Sequence, residues 1–173
     1  MQIVPINTSH ADALSALAKN IYKEYYLHLW YPGGAEWYMN EYAYHPETLN
    51  SELADSNNQH FIVYEKLQAM GYLKLRVNAI LEGYESQGSL EIERIYLHKA
   101  AAGKGTGKQL MFLSEEIARQ YKKDTIFLKA MDTSIDAIAF YKKMGFTVCG
   151  ALTLPFLQMK EIYRGMVILK KDL

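Results

Sequence analysis

The chain has 173 residues, half of them hydrophobic, with 19 basic and 19 acidic side chains in balance. That length fits one domain with a full core, and zero net charge removes nucleic acid and anionic membranes as main partners. A single cysteine, Cys149, excludes an internal disulfide and fits a reducing, cytoplasmic setting, while no apolar run reaches membrane length and no leader pattern opens the chain.

Gln2 to Ile6 reads as a first strand, after which Thr8 or Ser9 can cap a helix with Asp12 in its first turn. Leu14, Leu17, Ala18, Ile21, Tyr22 and Tyr25 recur at helical spacing and give that helix one apolar face. Tyr31-Pro32-Gly33-Gly34 must break it. Two shorter helical pieces follow, from Ala35 to Tyr44 and from Pro46 to Ala54. His60 to Glu65 and Met70 to Val77 read as strands joined by a hairpin loop over Lys66 to Ala69, with a longer loop from Asn78 to Gly88. Ser89 to Leu97 alternates strictly. That predicts Glu91, Glu93, Ile95 and Leu97 on one face and Ile92, Arg94 and Tyr96 on the other. A helix from about Thr106 to Tyr121 takes Leu110, Leu113, Ile117 and Tyr121 as core positions. Thr125 to Met131 is mostly apolar, as in a strand covered on both faces. Thr133 or Ser134 caps a last helix ending before Gly145, and Phe146 to Leu154 and Ile162 to Leu169 close as antiparallel strands. Helices and strands in this order make an α/β domain over residues 1–173, built on a mixed, mostly antiparallel sheet.

Between the strand ending at Leu97 and the helix starting near Thr106 lies Ala102-Gly103-Lys104-Gly105-Thr106-Gly107-Lys108-Gln109. A loop of alternate glycines lets backbone approach a phosphate, and the helix N-terminus behind it favours an anion. A nucleoside triphosphate loop would need a hydroxyl after Gly107-Lys108, where Gln109 stands; a dinucleotide loop would need G-x-G-x-x-G early in the chain. Neither pattern fits. The run from Leu90 to Met111 instead resembles the acetyl-CoA loop, [Q/R]-x-x-G-x-[G/A], of the GCN5-related N-acetyltransferases, with Gly105 and Gly107 as its glycines and Ala102 in its first position. Ser134 to Phe146 is similar to the same family's later motif, N-x-x-A-x-x-F-Y-x-[K/R]-x-G-F, carried here by Ala137, Phe140, Tyr141, Lys143 and Gly145-Phe146 with Ser134 in place of Asn.

The resemblance implies a mixed sheet of about seven strands flanked by about four helices, and transfer of an acetyl group from acetyl-CoA to a primary amine by direct attack in a ternary complex. It implies that Ala102 through Lys108 hold the pyrophosphate, that Ser134, Ala137, Phe140 and Lys143 border the cofactor, and that backbone groups of Ile95, Tyr96 and Leu97 grip the pantetheine arm. It places Tyr141 beside the sulfur, where the phenol can protonate the departing thiolate. Glu91 and Glu93 are the candidates for the base that strips the amine, or a solvated strand face. No residue spacing suggests a metal. His98 reads as a loop residue.

The acceptor site is expected between Tyr22 and Tyr44, where Tyr25, Tyr26, Trp30, Tyr31, Trp37 and Tyr38, with Glu24, Glu36 and Glu41, could form an aromatic, acidic cleft for a cationic amine. Leu90 to Leu97 and Phe140 to Phe146 resemble the bacterial spermidine/spermine acetyltransferase subgroup, which implies a polyamine or another small primary amine. A protein or peptide amine, an aminoglycoside, or a non-catalytic acyl-CoA sensor are the other readings. Family members often dimerise, which leaves a homodimer open.

Overall fold

The computed structural model describes residues 1–83 and 88–173. Among these, seven strands form one sheet: β1 Gln2–Pro5, β2 Asn58–Glu65, β3 Gln68–Ala79, β4 Ser89–Leu97, β5 Thr125–Met131, β6 Thr147–Thr153 and β7 Gly165–Asp172. Their order is β1-β2-β3-β4-β5-β7-β6, and only β4 and β5 run parallel. Five helices cover it: α1 Ala11–Tyr25, α2 Gly34–Trp37, α3 Pro46–Ala54, α4 Thr106–Gln120 and α5 Ile135–Lys143. Part of the expected Asn78–Gly88 loop, residues 84–87, lies outside the described residues.

Several boundaries moved for identifiable reasons. The first cap is Asn7, not Thr8 or Ser9; its side chain accepts from the Ser9 amide and opens a one-turn 3-10 helix before α1. The β2–β3 hairpin turns on Lys66 and Leu67 alone, with Glu65 facing Gln68 and Lys66 at φ 56°. The expected Ala35–Tyr44 helix is α2 followed by a π turn over Tyr38–Tyr42, closed by the Ala43 amide donating to the Tyr38 carbonyl at 2.8 Å. Tyr121 is half exposed and outside the core, because α4 ends at Gln120; Met111 and Ala118 fill that role. Glu161–Tyr163 form a 3-10 turn, so β7 begins at Gly165 rather than Ile162.

The sheet divides two apolar layers. Leu14, Leu17, Ala18 and Ile21 of α1 pack with Leu49 of α3, Met39, Ile62 and Tyr72 on one face. Leu110, Met111, Ile117 and Ala118 of α4 pack with Val63, Leu73, Leu75, Leu90, Ile92 and Ile126 on the other. Each Leu, Ile, Val or Met among them contributes roughly 1.5–3 kcal/mol of transfer free energy, which fixes where the sheet faces point.

Strand β4 does not keep the strict alternation its sequence predicts. Lys74 faces Arg94 and Leu75 faces Ile92, so Glu93 is an extra residue, a β-bulge. Ile92, Ile95 and Leu97 therefore all turn to the α4 layer, while Glu93, Arg94 and Tyr96 join the opposite side with Glu91. The two faces expected from period two are re-sorted by this one residue. Beside the bulge the sheet opens. Parallel pairing of β4 with β5 runs only from Ser89/Thr125 to Ile92/Leu128, after which β5 stays with β7. From Glu93 onward the edge of β4 that faces β5 has no strand across from it among the described residues.

Candidate active site

Two cavities open at this split. The first, about 530 Å³, is walled by the glycine loop and the start of α4 (Ala102, Gly103, Gly105, Thr106, Gly107, Lys108), by Ile95, Tyr96 and Leu97 of β4, and by Asp136, Ala137, Phe140 and Tyr141 of α5. The second, about 480 Å³, lies on the other side of the same strand, between Tyr22, Tyr26, Tyr38, Tyr42 and Phe156 and the charged side chains Arg76, Glu91, Glu93, Arg94 and Lys129. Both are lined by Tyr26, Ile95, Tyr96, Ala137 and Tyr141. The cavities meet there.

The loop can adopt its shape because Gly103 and Gly105 sit at φ 74° and 81° with open space where a Cβ would project. Gly105 is the N-cap of α4 and supplies no side-chain acceptor, and the first turn carries no acid, so the helix end is left for an anion. A Cβ on Gly107 would meet the Phe140 ring at 3.4 Å, so loop and α5 stand close. Entry to the loop is pinned from below. Glu24 of α1 accepts from the Lys99 amide at 2.8 Å and meets His98 Nδ1 at 2.7 Å.

The lysines are less available than the sequence suggests. Lys104 pairs with Glu65 at 3.0 Å, Lys108 lies over Phe112, and neither Lys104 nor Lys143 lines the first cavity. Ser134 caps α5 without a side-chain bond and lines the second cavity instead of the first. Of the expected anion-holding groups, the structure brings together the backbone of Ala102 through Lys108.

Tyr141 is held by ring contacts with Phe140 at 5.4 Å and Phe146 at 6.2 Å. Burial, then the neighbouring Tyr96 phenol, pushes its hydroxyl above the usual range, so the phenol is protonated at neutral pH and has an O–H to donate. Tyr26 is raised for the same first reason.

The glutamates are tied into a network. Glu91 meets Lys129 at 2.8 Å and Arg76 at 3.4 Å. Glu93 Oε1 meets Lys74 at 2.8 Å and Arg94 at 3.5 Å, leaving Oε2, among the described residues, with Arg76 at 3.8 Å. Beneath them Glu52 holds Arg94 with two bonds of 2.7 and 3.0 Å and Lys74 at 3.1 Å. Burial pushes the Glu52 carboxyl up, but His60, Arg94 and Lys74 outweigh it and hold it at about 2; His60, 3.8 Å away, contributes a charge only when protonated.

The wall of the second cavity differs from the acceptor cleft expected from the sequence. Tyr26 and Tyr38 line it, but Tyr25, Trp30, Tyr31 and Trp37 do not. Trp30 is a core residue that donates to the Tyr22 hydroxyl at 2.9 Å and bridges to Met159 through its backbone; Tyr31 points to solvent. Glu36 and Glu41 are exposed and outside the cavity, and Glu24 is committed to the loop. The sequence reading missed Tyr42 and Phe156, and the cations Arg76 and Lys129. Lys129, a lone charge in an otherwise apolar buried strand, was the signal available.

Among the described residues no helix is long and apolar enough to cross a membrane, and no group of three or more His, Cys, Asp or Glu could hold a metal. Comparison with known proteins agrees with the geometry. The full chain superimposes on the whole of the PaiA N-acetyltransferase from Thermoplasma acidophilum, solved with coenzyme A, with TM-score 0.75 at 20% identity. An uncharacterized N-acetyltransferase from the pepI 3′ region of Lactobacillus delbrueckii subsp. lactis is 33% identical over 101 residues; the chain spans about three fifths of that relative, the match covering 58% of each. A probable spermine N(1)-acetyltransferase from Bacillus subtilis subsp. natto is 33% identical over 66 residues, 38% of this chain and 43% of that one. The model of the acetyltransferase (GNAT) family matches residues 18–146, and the chain belongs to that family.

Proposed function

We propose that the protein is an acetyl-CoA-dependent N-acetyltransferase acting on a small primary amine by direct attack in a ternary complex. The observation that carries this reading is the meeting of a phosphate-compatible cavity and an aromatic, charged cavity at Tyr141 and the bulged edge of β4. The residues present suit the cofactor. Glycines at positive φ and an uncapped helix N-terminus would hold a pyrophosphate, and the apolar trough of Ile95, Leu97, Ala101 and Phe140 would hold the arm. Bound acetyl-CoA supplies a thioester carbonyl activated toward an amine.

The chain's own groups then have distinct tasks. Backbone N–H groups on the open edge of β4 polarise the carbonyl, an effect typically worth about 3 kcal/mol per donor. Tyr141, kept protonated, donates to sulfur as the thiolate leaves. An alkyl amine is unprotonated only about one part in a thousand at neutral pH, so a base helps; Glu93, through the less engaged Oε2, suits this better than the covered Glu91. The lone free thiol of Cys149 supports a cytoplasmic setting. Partial likeness to a spermine acetyltransferase supports a polyamine acceptor, but the charges in the acceptor cavity weigh against it.

The test is free thiol release from acetyl-CoA across spermidine, spermine, aminoglycosides and peptides. Amine-dependent release supports the enzyme. Saturable acetyl-CoA binding with no release on any amine would overturn it in favour of a sensor.

A further inference from the structure

Charge in the acceptor cavity is not balanced. Among the described residues its wall carries three cations, Arg76, Arg94 and Lys129, against two carboxylates, Glu91 and Glu93, and behind the wall Lys74 and Glu52 add one charge of each sign. Exposure sharpens the difference. The Glu91 side chain is 5% exposed, whereas those of Arg76 and Lys129 are 45% and 37% exposed, and both line the cavity. Arg76 reaches its carboxylates only at 3.4 and 3.8 Å, well short of the close two-pronged grip a guanidinium makes on a carboxylate. The same cavity therefore offers an amine-bearing molecule both an aromatic wall of Tyr38, Tyr42 and Phe156 and these cations.

We infer, resting on the acetyltransferase reading, that the acceptor is an amine carrying an anionic group, carboxylate or phosphonate-like, at its far end. The amine lies near Ile95, Tyr96 and Tyr141, and the anion is received by Arg76 and Lys129. Ile95 faces Leu73 and Glu91 faces Arg76, so the bulged segment spans three steps of β3, roughly 10 Å at 3.3 Å per residue, and the long side chains of Arg76 and Lys129 shorten the span to be bridged. An apolar spacer of several carbons fits the aromatic wall. A polyamine would bring a second ammonium against these cations and is discriminated against by repulsion.

The experiment measures kcat/KM by thiol release for a matched set of one chain length: ε-aminocaproate, aminohexylphosphonate, hexylamine and hexamethylenediamine. The carboxylate or phosphonate should exceed the diamine by roughly tenfold or more, the scale of one charge-assisted bond; which anion is faster identifies the natural headgroup. Arg76→Gln and Lys129→Met should each lower the anion-to-diamine ratio by a similar factor, through KM, with Lys129→Arg restoring it. Thermal unfolding of each variant checks that the fold is kept. A diamine equal to or better than both anions overturns the inference while leaving the acetyltransferase reading intact. No release on any amine removes the underlying reading as well.

Discussion

Tyr141 is where several independent constraints converge on one hydroxyl. It is fixed by two aromatic neighbours, it faces both cavities, and burial keeps its proton in place. Tyr141→Phe keeps the ring and its packing and removes only the donor. The turnover number should fall at least about tenfold, the low end of general acid catalysis, with acetyl-CoA affinity by calorimetry unchanged within a factor of two. Glu52 has a structural role of the opposite kind. Its removal leaves Arg94, a mostly covered cation in the wall of the second cavity, without its main counter-charge. Glu52→Gln should cost roughly 3 kcal/mol of stability in urea unfolding, the usual scale for breaking a buried pair.

At the level of elements, the glycine loop and β4 were unequally legible. The loop, its helix and the Phe140-Tyr141 motif could be read in advance because glycine spacing and helical period are local properties. Gly105→Val tests that reading: at φ 81° a branched side chain is strained and fills the anion's approach. Acetyl-CoA binding should disappear in calorimetry, while circular dichroism retains the folded spectrum. The β4 bulge was not legible, because a one-residue insertion relative to β3 is a property of the pair of strands. That one residue moved Ile95 and Leu97 away from the glutamates. It also gathered Glu91, Glu93, Arg94 and Tyr96 on one side, so neighbours predicted from alternation proved to be on opposite faces. Trp30 and Trp37 were misplaced for a related reason. Their burial depends on Met159 and Phe156, more than a hundred residues away in sequence.

Across the whole molecule, the ion-pair network joins α3 to β3, β4 and β5 under the acceptor cavity and links stability to pH. Glu52 is depressed from 4.5 to about 2 on folding. Its contribution is therefore complete above about 4.5 and is lost as pH falls toward 2. Wild-type urea stability should decline through that window, and Glu52→Gln should flatten the decline. The central claim is that both substrates occupy their adjoining cavities together. Initial rates with acetyl-CoA and an accepted amine varied against each other test it most directly. Joint occupancy gives intersecting reciprocal plots and no acetylated protein, by intact mass, after incubation with acetyl-CoA alone. Parallel plots with an acetylated enzyme would contradict it.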